Sequence, residues 1–486
     1  MRSPTQKPFA ALALLLAALA LLDSCVSPPT ANPTPDSALP SSALAQPVRP
    51  STPEETRTRA LAEASALLKS GRYDEAIAGL RKLVASEPDS PETQGLLAAA
   101  LVSAGRYPEA RSAVDAIIAA RPGDPAPLVL AADIARFQGN EKDRATLLEK
   151  AAATAPGDAA VLVAWGQYWS DRKTWSNAEA SFRKATLAAP ANPDAFHGLG
   201  LALFRLSRFR ESEAALDRAL ELEPENAYSW SDRSRTRYQE GKSAEAEADI
   251  DKAIALAPQA AWFRIDRARL RIDANRLAEA ETDLDAAVSN APDNFLARLY
   301  RAAVYEKTGR EALAMADYDQ VVAIQPDYWY AFESAGSCAF RLGDFAAAAP
   351  RFQKAFERAP THYEYAILAT ISMMRQGGMA KGRAFAASLA PKIDREKYAS
   401  SWLILRLLQD QNDLTSELEI AIQNEKRLDA KAASLFWLGE YWIIKGRGEL
   451  GMKYLAAAAD LHRESAFEYG LIGSELARFA KAGSRG

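Results

Sequence analysis

A step of 34 residues constrains this chain more than any other property of its sequence. Gly71, Gly105, Gly139, Gly241, Gly309, Gly343 and Gly377 fall on that step, and Lys173, Ser207 and Asn275 fill the places between them. Ala76, Ala110, Ala178, Ala246, Ala280, Ala314 and Ala348 keep the same phase five positions later. Nine prolines, from Pro88 and Pro122 through to Pro326 and Pro360, hold a third phase. Three unrelated positions that keep one register without an insertion define a repeat protein.

Each period holds two segments whose apolar residues recur at helical spacing, such as Ala195–Leu206 and Glu211–Leu222. The Gly-X-aromatic between them, as in Gly343-Asp344-Phe345, supplies a turn where a residue without a Cβ tolerates positive φ. The small residue that follows lets the second helix approach the first. The proline stops the second helix, and an Asn or Asp near it begins the next one. A helix pair of this length cannot bury its own apolar faces, so neighbouring pairs must stack.

Trp165-Gly166, Leu199-Gly200, Ala335-Gly336 and Leu438-Gly439 mark the first helices. Phe182, Tyr318 and Phe352, with Ala185, Ala219, Ala253, Ala287 and Ala355, mark the second ones. These residues resemble the tetratricopeptide repeat, whose pattern runs from W-x2-L-G-x2-Y through a small residue, an aromatic and Ala to Pro. The resemblance covers most of residues 57–460 and implies an all-α, right-handed superhelical solenoid of antiparallel helix pairs. About twelve repeats and a C-terminal capping helix are expected. It also implies a non-catalytic scaffold that binds protein or peptide partners on a concave face, although fold alone does not settle function.

The remaining composition narrows the options. The net charge of −4 on 486 residues argues against a nucleic-acid partner. Two cysteines, three histidines and no Cys-x-x-Cys leave no metal site to expect. No cofactor motif is present, because no Gly-rich phosphate loop and no Gly-x-Ser-x-Gly elbow occurs. Carboxylates are plentiful but lie on solvated helix faces, so the chain is expected not to be an enzyme. Cys338, in a first helix, reads as a small buried residue.

Arg2 and Lys7 precede an apolar run from Phe9 to Leu22, too short to span a bilayer, which needs roughly 20 such residues. Leu22-Asp23-Ser24-Cys25 resembles the lipobox of bacterial lipoproteins, although Asp23 departs from the small or apolar residue usual there. The resemblance implies a lipidated Cys25 at the start of the mature chain and a place on a bacterial envelope membrane. Ala43-Leu44-Ala45 offers an ordinary secretory cleavage site, but it lies about 20 residues beyond the apolar run. Val26 to Pro53 carries eight prolines among Ser, Thr, Ala and Asn, the composition of an extended tether. The expected organisation is a signal segment over 1–24, lipidated Cys25 and tether to 56, and a regular array over 57–360. Degenerate repeats follow over 361–460, with a capping helix and tail over 461–486; that helix, expected from Glu464 to Phe479, should be polar-faced.

Two sets of residues stand out within the repeats. Arg233, Arg267 and Arg301 replace the usual Leu or Trp of the first helix, each with an aspartate sixteen residues later: Asp249, Asp283 and Asp317. Their joint presence and absence across repeats points to a structural Arg–Asp bridge. The second set lies on the face where the resemblance places partners: His197, Phe204, Tyr228, Arg235, Tyr238, Trp262, Arg269 and Tyr330. Aromatics beside arginines taken as unpaired suit an acidic or C-terminal peptide; simple packing between repeats is the plainer alternative. The Lys/Asn/Arg set with which some members of the family clamp a C-terminal carboxylate is missing at the corresponding positions. A cell-wall or glycan binder, and a subunit of an outer-membrane assembly or secretion complex, remain open as well.

Overall fold

The computed structural model describes residues 53–88, 90–410, 413–463 and 467–483. Cys25, its signal-like leader and the proline-rich tether as far as residue 52 lie outside them, whereas residues 53–56, expected in the tether, belong to the first helix. Among the described residues the chain forms twenty-five α-helices, and it divides into two compact units, one ending at Gly241 and one beginning at Lys242.

The first unit runs through α1 (Pro53–Lys69), α2 (Tyr73–Ser86), α3 (Pro91–Ser103), α4 (Tyr107–Ala120), α5 (Pro125–Gln138) and α6 (Glu141–Thr154). It continues with α7 (Ala159–Asp171), α8 (Trp175–Ala188), α9 (Pro193–Arg205), α10 (Phe209–Leu222) and α11 (Ala227–Gln239). Each helix packs on the next, so odd-numbered helices open a repeat and even-numbered ones close it.

Local chemistry explains this regularity. The residue before each repeat proline leaves the helical region: Arg121 sits at φ −134°, ψ 68° and Ala189 at φ −136°, ψ 83°. Proline's Cδ excludes the α conformation from its predecessor, which ends the second helix there. Asp158 and Asn192 then cap the next helices by accepting from the amides of Val161 and Ala195. The turn inside each pair is left-handed, with Gly71, Gly105, Gly139 and Gly241 at φ 73–80°, and Lys173 and Ser207 take the same conformation at 58° and 60°.

Close approach is enforced at Phe182. A Cβ on Gly166 would lie 2.6 Å from its ring and one on Gly198 2.3 Å, so two first helices clasp one second-helix aromatic. Arg144 stands where other repeats place a small residue and is nevertheless buried. Its guanidinium reaches out of the helix pair to Asp171 at 2.8 Å and lies over Tyr168 at 5.2 Å. The apolar core is a series of overlapping clusters, each spanning a few neighbouring repeats, as expected when contacts stay local.

The second unit opens with α12 (Ser243–Leu256), α13 (Ala261–Asp273), α14 (Leu277–Asn290), α15 (Phe295–Lys307), α16 (Glu311–Ile324), α17 (Tyr330–Leu342) and α18 (Phe345–Arg358). After these come α19 (Tyr363–Arg375), α20 (Met379–Leu389), α21 (Ala399–Leu408), α22 (Thr415–Asn424), α23 (Leu428–Ile444), α24 (Gly448–Ala459) and α25 (Tyr469–Gly483). The helices from α20 to α22 hold only ten or eleven residues. First helices α19, α21 and α23 touch one another, and a single core runs from Ala339 to Ile472.

The last helix differs from the expected polar-faced cap. It begins at Tyr469 rather than Glu464, buries Leu471, Ile472 and Glu475, and packs against α17 as well as α24. The chain end thus returns to α17.

Candidate functional site

In the first unit the structure joins three of the sequence-selected residues. His197 and Phe204 lie on α9, and Arg235 lies on α11, the next first helix. Their meeting point is Asp232, which the sequence reading did not select. Its Oδ2 bonds His197 Nε2 at 2.7 Å and its Oδ1 accepts from Arg235. The Arg235 guanidinium in turn lies 5.9 Å from the Phe204 ring centre, and Phe204 packs on Phe209 at 5.6 Å.

The electrostatics follow from the geometry. Burial opposes a charge on His197, but the bond to Asp232 and the charges of Asp232 and Asp194 outweigh both burial and Arg235. The imidazole pKa is therefore raised above its ordinary value. Burial also opposes ionisation of Asp232, yet Arg235 and His197 hold it below the usual carboxylate range. One buried carboxylate thus fixes an imidazole and a guanidinium in place. Tyr228, which is exposed, and Tyr238, half-buried, belong to the same helix as Arg235.

The arginines are not unpaired, which corrects the sequence reading. Arg235 bonds Asp232 three residues earlier, and Arg269 in the second unit lies 3.5 Å from Asp266, also three residues earlier. The signal was available, since charges at i and i+3 on a helix face one another.

In the second unit, Trp262 packs edge-on to Phe263 at 5.8 Å, and Arg269 lies over the Tyr300 ring at 5.8 Å. Tyr330 is 54 % exposed and stacks on Trp329 at 3.7 Å. Trp329 also meets His362 and Tyr365, at 5.6 and 5.9 Å. Tyr228, Arg235 and Tyr238 lie in the first unit and Trp262, Arg269 and Tyr330 in the second.

The proposed Arg–Asp bridges form in the second unit. Arg267 donates to Asp283 through Nε at 2.9 Å and through Nη2 at 2.5 Å, and Arg301 donates to Asp317 at 2.7 and 2.8 Å. Asp283 and Asp317 are buried. Each arginine also reaches back sixteen residues, Arg267 to Asp251 at 2.6 Å and Arg301 to Asp285 at 2.8 Å. In the first unit Arg233 does the same with Asp217 at 2.7 Å; its proposed partner Asp249 is buried in the second unit. The sequence reading missed this backward set although Asp217, Asp251 and Asp285 recur at the repeat period. Cys338 is buried, as expected.

Tetratricopeptide-repeat family models match residues 67–134, 197–261 and 265–328. Among solved structures the chain is similar to PilF of Pseudomonas aeruginosa, with 18% identity and a TM-score of 0.38 over 42% of this chain and 92% of that one. A tetratricopeptide repeat protein from Parabacteroides merdae shares 19% identity with a TM-score of 0.39, over 51% of this chain and 98% of its own. YrrB, a TPR protein described as having an unusual peptide-binding site, shares 19% identity with a TM-score of 0.31, over 38% of this chain and 95% of its own. No curated protein matches this chain.

Proposed function

Because this chain is a tetratricopeptide-repeat protein, we propose that it is a non-catalytic scaffold holding protein or peptide partners on the exposed faces of its first helices. The observation that carries this reading is the cluster of His197, Asp232 and Arg235 beside Phe204. Side chains already fixed by one another lose little entropy when a partner arrives, and rings and arginines are the usual anchors of such contacts. An acidic segment would have to share Arg235 with Asp232. The geometry therefore favours a segment held by ring contacts and amide hydrogen bonds over one read by charge alone.

A second reading, binding of a cell-wall glycan, draws support from the exposed Tyr330 ring stacked on Trp329. Membership of an outer-membrane assembly or secretion complex is a further form of the scaffold role. We place the chain on a bacterial envelope membrane through a lipid on Cys25, on the periplasmic side of either membrane or at the cell surface. Two or more acyl groups would be needed for stable anchoring. Cys25→Ala should then move the protein from the detergent phase to the soluble fraction, and unchanged retention would remove the anchor.

The scaffold reading is tested by crosslinking and copurification from native membranes. Wild type is compared with a variant carrying Tyr228→Ala, Arg235→Ala, Trp262→Ala and Arg269→Ala, with helix content checked by circular dichroism. Loss of a defined partner at unchanged helix content is the expected outcome. Identical partner lists would overturn the assignment to these faces, and glycan capture without protein partners would favour the second reading.

A further inference from the structure

The second unit does not leave all of its first-helix face open. Phe340, on the same helix as the sequence-selected Tyr330, is fully buried against Phe345 at 5.1 Å and Phe436 at 6.0 Å. Glu333, on the same helix, accepts from the Tyr365 hydroxyl at 2.5 Å. The chain's own end also packs on this region. Arg478 of α25 donates to the carbonyls of Phe340 and Arg341 at 3.0 and 3.1 Å, where α17 runs out of internal donors. Arg375 of α19 reaches Glu475 at 3.1 Å and Glu440 at 2.5 Å, and Phe467 stands edge-on to Tyr365 at 5.8 Å.

At the root of this helix sits Glu468, only 5 % exposed. The charges acting on it are Glu364 from α19, Glu333 from α17 and Asp429 from α23, all negative. The cations and other titratable groups around the junction are already engaged. Arg341, against Gly470, pairs with Glu306 at 2.5 Å and Glu311 at 3.6 Å; Arg463 pairs with Asp429 at 2.7 Å; His362 bonds Glu364 at 2.7 Å. Arg375 and Arg478 serve Glu475 one turn or more farther along α25.

We propose that residues 467–483 are an internal occupant of the α17–α19 face, held closed by a proton on Glu468 and released when that carboxylate ionises. Burial, with the three neighbouring carboxylates, outweighs a hydrogen bond from its own backbone amide and pushes Glu468 up to about 8. Since its pKa is raised on closure, the closed form binds the proton more tightly than the open one. The resulting stability is fully present below the ordinary glutamate value and is lost as pH rises through about 8. The face uncovered would present Tyr365, Arg375 and the C-terminal carbonyls of α17, ready for another amphipathic helix that offers a carboxylate to Arg375.

Hydrogen exchange on the full chain tests this directly and needs no partner, so its failure is separate from that of the scaffold reading. Protection factors, corrected for intrinsic rates, are compared for the Leu471–Glu475 amides at about pH 6 and about pH 9, with α9 as reference. Protection should fall about tenfold or more across that range in wild type and stay high in Glu468→Gln. Glu364→Gln, at a half-buried position, removes a repelling charge and should move the fall to lower pH. Constant protection in wild type, an equal fall in Glu468→Gln, or an unmoved fall in Glu364→Gln would each overturn the proposal.

Discussion

On the 34-residue step from Gly71 to Gly377, ten turns between helices adopt one left-handed conformation, but only seven of them hold glycine. Lys173, Ser207 and Asn275 occupy the others at φ 58°, 60° and 57°. For an L-residue this region costs roughly 1–2 kcal/mol through the clash of Cβ with the following carbonyl. Replacement by glycine removes that strain but gives the unfolded chain more freedom, worth about 0.5–1 kcal/mol. All three side chains are exposed, so little contact energy is lost. Lys173→Gly and Ser207→Gly should each stabilise the first unit by about 0.5–1 kcal/mol. Asn275→Gly should gain less than about 0.5 kcal/mol, because asparagine tolerates the left-handed region. Gly309→Ala is the control in the other direction. Its added Cβ would meet nothing within 4 Å, so a loss of about 1 kcal/mol would be conformational alone. Urea titration followed by circular dichroism reads these as shifts in midpoint at constant slope. An unchanged or lowered midpoint for Ser207→Gly, or a gain at Asn275 equal to that at Lys173, would refute the reasoning.

Gly198→Ala should destabilise the first unit by about 1–3 kcal/mol despite alanine's better helix propensity, because its Cβ falls on the Phe182 ring; Phe182→Leu in the same chain should recover part of the loss. Asp283→Leu leaves Arg267 and Arg271 facing a buried site without their shared carboxylate and should cost about 3–5 kcal/mol in denaturant unfolding. Adding Arg267→Met should restore much of it, since Arg271 keeps Glu247 at 2.9 Å. His197 should titrate above the ordinary histidine value in an NMR pH series. Its contribution to stability is present below that ordinary value and is lost as pH rises through the raised one, and His197→Gln should abolish this step.

Much of the fold was legible because each phase of the repeat has its own physical cause. The glycine phase marks left-handed turns, the alanine phase marks the buried crossing of two helices, and the proline phase marks where the preceding residue must leave the helix. The forward Arg–Asp bridge of Arg267 and Asp283 was legible for the same reason, as both members appear and vanish together. The closure at the chain end was not. It lies beyond the degenerate stretch of α20 to α22, where the repeat no longer fixes boundaries, and it depends on contacts such as Arg478 with Phe340, 138 residues apart.

The candidate site shows why a repeat-aligned reading finds residues but not their partners. Aligning repeats places like positions in one column, so His197 is compared with Ser231 and Asp232 with Gly198. Contact between neighbouring repeats, however, joins different columns. Consecutive helix positions point about 100° apart, so the position that faces the next repeat is not the one that faces the previous repeat. One offset recurs: His197 meets Asp232, Glu306 meets Arg341, and Asp410 meets Lys445, each 35 residues on, one more than the period. Arg57 with Glu92 and Glu419 with Tyr454 share this offset. A position that looks unpaired within its column is therefore to be checked one residue beyond the period, and three residues back along its own helix. Both checks lead from the selected residues to Asp232, the carboxylate on which the candidate site of the first unit turns.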